Sequence, residues 1–460
     1  MMKKSIKGIF HVRENIFIQW EIFLKWFFIS VISGIVIGAV GALFHQLLGI
    51  VTDCRQANSF LILLLPIGGV LIVWLYHLLG MDKDGGTNSI IRGARGEENV
   101  SPKTAPLIIA STALTHLLGG SAGREGAALQ LGGSLISPLR KPLKLNDSEY
   151  SVLIMCGMAA GFSSLFGTPV ASAVFAIEVT VVGIVHYSAI VPCLISSVTA
   201  AITASAIGVH PTAYHVESVP AFDAYSAVTA LQVLILGIAC AFVSVLFCFM
   251  IRKTAKLYKK LIPNKYLRAA AGGLVVAAIS FALFFLTGSF DYNGAGTDVI
   301  RRAFTGECRP EAFLIKILLT ALTLGAGFKG GEIVPTMFTG ATFGCFFGRL
   351  MGLSPSFGAA LGLVAVFCGV TNCPLSAIIL SIELYSTEGL PYFALAIGLS
   401  YMLSGYTGLY SAQEFYEGKL VRRKFKHFRT YQQIKGKHIL HERKDDNGAE
   451  RSNNDQTHRP

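Results

Sequence analysis

Residues Gly119–Gly133 read GGSAGREGAALQLGG, a stretch that holds six glycines beside an arginine and a glutamate. It lies between apolar segments in a chain of 460 residues that is 52% hydrophobic and only 14% charged. A soluble globular protein carries about 25% charged residues, so this composition indicates a chain embedded in lipid. The stretch therefore puts a carboxylate, Glu125, at a break between apolar segments of a membrane protein.

Apolar runs follow one another along nearly the whole chain. Several are long enough to cross a bilayer as helices, which needs roughly 20 residues. Two others, Thr104–Leu118 and Phe313–Leu324, are shorter and are followed by glycine. Short apolar segments interrupted by glycine suggest helices that stop inside the membrane, as in transporters. We therefore predict an all-α polytopic membrane protein. The longer runs are Phe23–Leu48, Ser59–Gly80, Tyr150–Phe166, Tyr187–Gly208, Ala227–Ile251, Ala269–Gly288 and Leu390–Tyr406.

Basic residues concentrate in three segments of the chain. Residues 1–13 carry four Lys/Arg and no acid, Arg252–Arg268 carries seven and no acid, and 419–460 carries twelve against five acids. The positive-inside rule predicts that all three lie on the cytoplasmic side of the cell membrane, so both termini are expected to be cytoplasmic. Nucleic-acid binding is the less favoured alternative for the basic tail, and we expect no nucleic-acid partner.

The two halves of the chain resemble each other. Residues 167–179 read GTPVASAVFAIEV and residues 372–384 read NCPLSAIILSIEL, so a proline precedes a glutamate by nine positions in both, at an offset of 205. We predict one transport domain, 1–425, built from a repeat at about 20–208 and another at about 226–425. The remaining residues, 426–460, are predicted to be a disordered cytoplasmic tail. Chance similarity between apolar segments is the alternative.

The same offset extends to the glycine-rich breaks, where it sets Arg124 against Lys329. Three such breaks stand out: GGTNSI at Gly85–Ile90, GREG at Gly123–Gly126 and GGEIVP at Gly330–Pro335. Each precedes an apolar segment and can begin a helix, whose unpaired N–H groups and dipole attract anions. Close helix packing is the alternative explanation of the glycines. Close packing is enough to explain the glycines of one break, but not those of all three.

Acidic residues mark these breaks and the ends of two apolar runs. A carboxylate at membrane depth is unfavourable unless it is paired, hydrated or protonated, so Glu125 can carry a proton or, when ionised, take the place of an anion. Glu332 in the third break is a candidate second acid, with a solvated loop residue as the alternative. The repeat symmetry of Glu178 and Glu383 predicts a shared structural role, such as accepting backbone N–H bonds at a break.

Taken together, these motifs resemble those of a known family, the CLC anion channels and proton-coupled antiporters. The resemblance rests on GREG, on GGEIVP followed by TMFTGATFG, on the two Pro…Glu segments and on GLYSA at 408–412, and it covers about residues 25–415. It implies the CLC-type fold of two inverted helical repeats, with helices that break within the membrane. It also implies a homodimer in which each subunit has its own pore.

Departures from the usual motifs point to one branch of the family. Chloride-handling members usually have GSGIP at the first break, where this chain has GTNSI at 86–90, and a proline where this chain has Ala127. Chloride antiporters carry a second proton-handling glutamate where this chain has Val179. These departures, together with GGE in the third motif, resemble the fluoride-exporting CLC-F branch.

The resemblance implies roles for particular residues. Glu125 would be the gating carboxylate that alternates between proton and anion, and Glu332 a possible second acid near the pathway. Sequence does not decide whether Thr87 or Asn88 faces the ion, and a tyrosine of the membrane interface is the alternative for Tyr410. The expected anion-binding residues are Thr87, Asn88, Gly123, Arg124, Gly126, Ile333 and Tyr410.

The predicted function is fluoride/proton antiport that exports fluoride across the cytoplasmic membrane. The alternative is a chloride/proton antiporter or passive chloride channel of the same family. A third possibility is an intramembrane enzyme, because Gly119–Gly123 matches the G-x-S-x-G nucleophile elbow around Ser121. That elbow needs a preceding strand, whereas a helix is predicted here, so we expect no enzyme. Neither a cofactor nor a metal is predicted, and the expected partners are the transported ions, the lipid bilayer and a second copy of the chain.

Overall fold

A computed structural model describes residues 2–210, 213–222, 226–419, 424–430 and 433. Within these residues the chain forms sixteen α-helices and three short strands. Six helical segments are long and apolar enough to cross a membrane: Phe17–Ala57, Ser59–Leu78, Asp147–Phe166, Tyr187–Ala206, Ala227–Leu261 and Lys265–Thr287. The predicted all-α polytopic architecture is confirmed. Most of the remaining helices are shorter, and the breaks lie between them.

The helices fall into two sets of eight, which follow the chain in the same order. The first set is α1 (Met2–Ala57), α2 (Leu65–Leu78), α3 (Thr87–Ala94), α4 (Thr104–Leu117), α5 (Glu125–Ile136), α6 (Asp147–Phe166), α7 (Pro169–Glu178) and α8 (Ile190–Ala206). The second is α9 (Ala227–Leu261), α10 (Lys265–Thr287), α11 (Thr297–Phe304), α12 (Ala312–Ala326), α13 (Ile333–Leu350), α14 (Pro355–Thr371), α15 (Pro374–Tyr385) and α16 (Leu390–Leu403). Short 3₁₀ turns cover Ser59–Leu64, Ser137–Arg140 and Tyr187–Ala189.

In each half, a residue with left-handed backbone angles ends one helix and a proline begins the next. Helix α6 ends at Gly167 and α14 at Asn372, and both residues adopt left-handed backbone angles, with φ of 69° and 61°. Such a residue stops a helix, and the proline two positions later begins the next one. The chain therefore turns from α6 into α7 as it turns from α14 into α15.

Glycines let the central helices approach closely in both halves. A Cβ placed at Gly132 of α5 would lie 1.9 Å from the carbonyl oxygen of Gly157 in α6. The equivalent contact joins α13 to α14, where a Cβ at Gly340 would lie 2.3 Å from the carbonyl oxygen of Gly362. No side chain fits at either distance, so glycine is required for these two helix pairs to pack.

Two glutamates tie the halves together. Glu178, at the end of α7, accepts hydrogen bonds from the amides of Leu375 (3.0 Å) and Ser376 (2.9 Å) in the first turn of α15. Glu383 in α15 accepts bonds of 2.9 and 2.8 Å from the amides of the corresponding residues of α7. Each carboxylate caps the partner helix, where unpaired N–H groups need acceptors. The predicted structural role of this pair is confirmed.

The offset of 205 does not hold at the breaks. It relates the starts of α7 and α15, but α5 begins at Glu125 and α13 at Ile333, an offset of 208. The residue equivalent to Arg124 is therefore Glu332, because these two precede the first residues of the two helices. Matching Arg124 to Lys329 was wrong, since the start of α7 lies 44 residues after the start of α5, whereas the start of α15 lies only 41 residues after the start of α13.

A small sheet joins the segment after α7 to the chain beyond the last helix. Strand β1 (Val181–Val182) pairs in parallel with β2 (Glu414–Glu417), which pairs antiparallel with β3 (Lys424–Thr430). The predicted disordered tail, 426–460, thus begins inside β3. For residues 426–430 the structure has a strand where the sequence predicted disorder. Backbone pairing with β2 orders these residues. Apart from residue 433, the rest of that tail lies outside the described residues.

Candidate functional site

The second and third breaks meet at the centre of the molecule. Gly123 and Gly331 exchange two backbone hydrogen bonds, each 2.7 Å long, as an isolated antiparallel bridge. The bridge brings the N-terminal ends of α5 and α13 together, with Ile333 as the first residue of α13 and fully buried. Two helix N-termini that converge in this way concentrate N–H donors and positive dipole ends at one place.

Glycine is needed on both sides of this junction. A Cβ placed at Gly331 would lie 2.6 Å from the backbone nitrogen of Gly126. A Cβ at Gly126 would lie 3.0 Å from the Gly331 Cα and 3.1 Å from Oε2 of Glu332. The glycines of these two breaks therefore do more than pack neighbouring helices, because they let the two helix ends touch each other.

Glu125 is buried at this junction, with 2% of its surface exposed. Its Oε2 atom accepts a hydrogen bond of 2.9 Å from the backbone N–H of Arg124, and its Oε1 atom lies 3.4 Å from the Nε of Arg124. The carboxylate thus folds back onto the end of its own helix, where an exogenous anion would bind. It is held by a backbone donor and by one neighbouring cation.

Glu332 stands at the equivalent position before α13. Its Oε2 atom is buried and has no hydrogen-bond partner among the residues the structure describes. Because the same atom lies beside Gly126, the second acid sits against the first turn of the helix that carries Glu125. Buried carboxylate oxygens without partners are rare, so this one is a candidate for a mobile ligand or proton.

Lys329, although close in sequence, does not pair with Glu332. Its Nζ atom lies 3.4 Å from Oδ2 of Asp84 and 4.2 Å from the centre of the Tyr76 ring. Asp84 in turn accepts from the amide of Gly86 at 3.2 Å. Lys329 therefore fixes the loop that leads into α3 and forms its ion pair with Asp84 and not with the Glu332 carboxylate.

The first break connects to α5 through a residue that the motifs did not identify. Gln130 of α5 is buried and donates from Nε2 to the Thr87 hydroxyl (3.1 Å) and to the Gly126 carbonyl (3.3 Å). Because Thr87 accepts this bond, its own O–H remains available as a donor. Gln130 is visible in the opening stretch, but nothing in its spacing distinguishes it from a residue that only packs.

Asn88, next to Thr87, points towards the chain beyond the last helix. Its Oδ1 accepts from the Ser411 hydroxyl (3.2 Å) and from the Ala412 amide (2.9 Å). These bonds orient the side-chain amide, so its NH₂ group is the donor left for a ligand. Asn88 thereby joins the first break to the segment that contains Tyr410.

Tyr410 has a buried hydroxyl without a hydrogen-bond partner in the described part of the chain. A cavity of about 20 Å³ lies beside it, lined also by Ser411 and Gln413. This volume accommodates one water-sized particle. A buried phenol normally finds a partner, so the unpaired hydroxyl and adjoining cavity favour a ligand site over an interfacial tyrosine.

The structure therefore brings together six of the predicted residues directly: Gly123, Arg124, Glu125, Gly126, Glu332 and Ile333. Gln130 connects Thr87 to them, and Asn88 is connected to the Tyr410 segment. At the position where chloride antiporters carry a second glutamate, the Val179 side chain is buried and its carbonyl accepts from Gln413 at 3.0 Å. The roles of these residues in transport stay predictions.

Ser121 is not arranged as a nucleophile. Its hydroxyl donates to the Tyr292 carbonyl and pairs with the Thr320 hydroxyl, both at 3.1 Å, and it is fully buried. Helix α4 precedes it instead of a strand, and His116 contacts the Gly123 carbonyl. The serine thus packs the second break against the second half of the chain, which argues against the nucleophile elbow.

The structure contains a fourth break, which the sequence motifs did not predict. Helix α11 begins GTDVI at residues 296–300, as α3 begins GTNSI at 86–90, at an offset of 210. The shared Gly-Thr-Asn/Asp pattern was the signal that could have found it. The two halves thus carry equivalent breaks before α3 and α11 as well as before α5 and α13.

Comparisons with known proteins agree with this arrangement. Residues 68–405 match the family model described as voltage gated chloride channel. The "Chloride/fluoride channel protein" of Pseudomonas syringae pv. tomato is 35% identical over 396 residues, which are 85% of this chain and 86% of the relative. An "H(+)/Cl(-) exchange transporter" of Vibrio cholerae is 26% identical, over 78% of this chain and 81% of that protein.

Solved structures give the same result for the fold. The crystal structure of a CLC-type fluoride/proton antiporter superposes with a TM-score of 0.81 at 32% identity, over 85% of this chain and 98% of that one. A slow cyanobacterial Cl⁻/H⁺ antiporter superposes with a TM-score of 0.70 at 19% identity, which supports the fold alone. The chain is therefore a multi-pass membrane protein with the CLC-type fold, and it belongs to the CLC family, the voltage-gated chloride channel family.

Proposed function

We propose that this protein is a fluoride/proton antiporter that exports fluoride. The observation that carries the proposal is the Glu125 carboxylate, whose Oε2 atom lies 2.9 Å from the Arg124 amide at the start of α5. A helix N-terminus is a favourable place for an anion, and here the protein's own carboxylate occupies it. Fluoride and the ionised Glu125 side chain therefore compete for the same donors.

Protonation decides this competition. Neutral Glu125 loses its attraction to the helix end and to the Arg124 guanidinium, so it leaves and fluoride enters. Loss of the proton returns the carboxylate and displaces the anion. One ion thus moves against the other, and an inward proton gradient drives fluoride out of the cell.

Glu332 is proposed as the second acid of the proton pathway. It precedes α13 as Arg124 precedes α5, and its unpartnered Oε2 atom lies against Gly126. This position allows a proton to pass between Glu332 and Glu125 through water. Val179 carries no proton, so Glu332 takes over the role that a glutamate there would have.

Donors at the first break favour fluoride over chloride. Fluoride is smaller and holds water more tightly, so a binding site must offer strong hydrogen-bond donors. The Thr87 hydroxyl and the Asn88 NH₂ group are such donors, and Tyr410 adds a third. The similarity to a CLC-type fluoride/proton antiporter supports this choice. Chloride/proton exchange or passive chloride conduction is the second candidate, since the names of the relatives also include chloride.

The orientation follows from the basic segments. The N-terminal end of α1 is proposed to be cytoplasmic, and so is the segment Arg252–Arg268, which covers the end of α9 and the start of α10. The opposite ends of α1 and α10 then face outwards. We infer that the protein lies in the cell membrane with both termini on the cytoplasmic side. We also infer that it transports ions and is not an enzyme. As the family resemblance implies, two copies associate in the lipid bilayer.

Liposomes that contain the purified protein test the proposal. Fluoride and chloride efflux are recorded with ion electrodes while pH is followed, for the wild type, Glu125→Gln and the exposed-loop control Glu388→Gln. We expect fluoride efflux with opposed proton movement in the wild type and the control, and loss of that coupled exchange in Glu125→Gln. Chloride efflux as fast as fluoride, or efflux without proton movement, would favour the second candidate.

A further inference from the structure

A large cavity lies on one side of Glu125. It has a volume of about 530 Å³ and is enclosed by the end of α1, the loop after α10 and the start of α11. Arg124 and His116 both line it, so it reaches the junction of α5 and α13. Thr87, Asn88 and Tyr410 are not among its lining residues.

Arg55, at the end of α1, is an unusual wall residue of this cavity. Only 6% of its surface is exposed, and its Nε atom is buried without a partner. Among the residues described, its guanidinium makes no ion pair and no hydrogen bond. Buried guanidinium groups are normally paired because an uncompensated charge is strongly unfavourable inside a protein. A cation in this state indicates an anion that binds from the cavity.

The other charges around the cavity do not neutralise Arg55. Asp291 pairs with Arg302 at 2.7 Å, and Asp298 pairs with Arg301 at 3.3 Å. Asp53, the third lining aspartate, is exposed. The carboxylates thus lie at the rim or are engaged by other arginines, while the inner wall is cationic.

A buried lysine fixes the loop over this site. Lys316 of α12 is fully buried, and its Nζ atom donates to the carbonyls of Tyr292 (3.1 Å) and Gly294 (2.7 Å). Asn293 between them donates to the Gly119 carbonyl at 2.6 Å. Lys316 therefore holds the loop next to the second break.

We propose that Arg55, with His116 and Arg124, forms a second binding site for a small inorganic anion, of the halide class, outside Glu125. The site holds the anion between its release from the junction and its escape through the cavity. That this anion is the transported fluoride rests on the proposed function, whereas the existence of the site rests on Arg55 and the cavity. The guanidinium gives up to five N–H donors, which suit a small anion well.

Isothermal titration calorimetry of the purified protein in detergent tests this site directly. Sodium fluoride is titrated into the wild type, Arg55→Gln and Arg140→Gln, with sodium gluconate as the salt control. Arg140 lies outside the cavity and pairs with Asp147, so it is a matched arginine. We expect Arg55→Gln to weaken one class of fluoride site about tenfold or to abolish it, as loss of a charged hydrogen bond implies. Unchanged binding in Arg55→Gln would overturn the proposal.

Arg55→Lys provides a folded alternative if Arg55→Gln is not recovered as a monodisperse protein. It keeps the charge but loses the planar set of donors, so about threefold weaker binding is expected. Binding equal to the wild type would contradict the proposal.

Transport assays distinguish the proposed anion site from the proposed function. Arg55-dependent fluoride binding without fluoride flux would reject the proposed function and leave the site. Coupled flux with Arg55-independent binding would reject the site and leave the function.

Discussion

Gln130 donates a 3.1 Å hydrogen bond to the hydroxyl of Thr87 and so links the start of α3 to the body of α5. The same Nε2 atom reaches the Gly126 carbonyl one helical turn away. Gln130 therefore fixes the distance between the first and second breaks. An uncharged amide is therefore responsible for the geometry around Glu125, the carboxylate that is proposed as the gate.

Replacing Gln130 with leucine is expected to slow fluoride transport about tenfold. The change keeps the side-chain size but removes the donor that orients Thr87, so the buried hydroxyl loses a hydrogen bond. Initial rates of fluoride efflux from liposomes measure the effect. Gln46→Leu, which alters an exposed glutamine, is the matched control. Equal rates for wild type and Gln130→Leu would show that the Thr87 bond does not position the site.

Gly331→Ala is expected to abolish transport and to lower the free energy of unfolding by about 1–3 kcal/mol, as overpacking does. The added methyl group would lie 2.6 Å from the Gly126 nitrogen and must push α5 and α13 apart. Gly398→Ala in α16 is the control, since a Cβ there meets nothing within 4 Å. Thermal unfolding in detergent and fluoride efflux are the two measurements. A stable, fully active Gly331→Ala protein would contradict the close contact of the two breaks.

Tyr410→Phe separates a ligand role from a structural one. The hydroxyl has no protein partner within the described residues, so its removal is expected to leave thermal stability unchanged. If the hydroxyl donates to the transported anion, the apparent affinity for fluoride falls about tenfold. The concentration dependence of fluoride efflux gives this affinity. A stability loss with normal transport would mean that the hydroxyl bonds to the protein instead.

The capping glutamates are expected to affect stability and not coupling. Glu178→Ala or Glu383→Ala removes the acceptor for two amides at the start of a helix, which costs about 1–2 kcal/mol for a lost cap. The two effects should add, because each carboxylate caps a different helix. Thermal unfolding of the single and double variants measures the sum, and the ratio of fluoride to proton flux should not change. Altered coupling in either variant would assign these acids to the proton pathway.

The sequence predicted the glycine-rich breaks and Glu125 because an isolated carboxylate among apolar segments is an unusual local pattern. It also predicted the capping role of Glu178 and Glu383, which follows from their symmetric placement after two prolines. Gln130 and Arg55 could not be predicted in this way. Their importance depends on partners, or on missing partners, far away in the chain. The equivalence of Arg124 and Glu332 required the structure, because the chain between the start of α5 and α7 is three residues longer than the chain between the start of α13 and α15.

The 2.7 Å hydrogen bonds between Gly123 and Gly331 restrict how this protein can work. A transporter that rocks one half against the other must slide or open the surface between them. Here that surface is closed by main-chain bonds between the second and third breaks and by the reciprocal caps between α7 and α15. A rocking motion would break both sets of contacts in every cycle. The backbone is thus expected to stay nearly still while single side chains rotate, so the speed of exchange is set by local rotamer changes and not by domain movement.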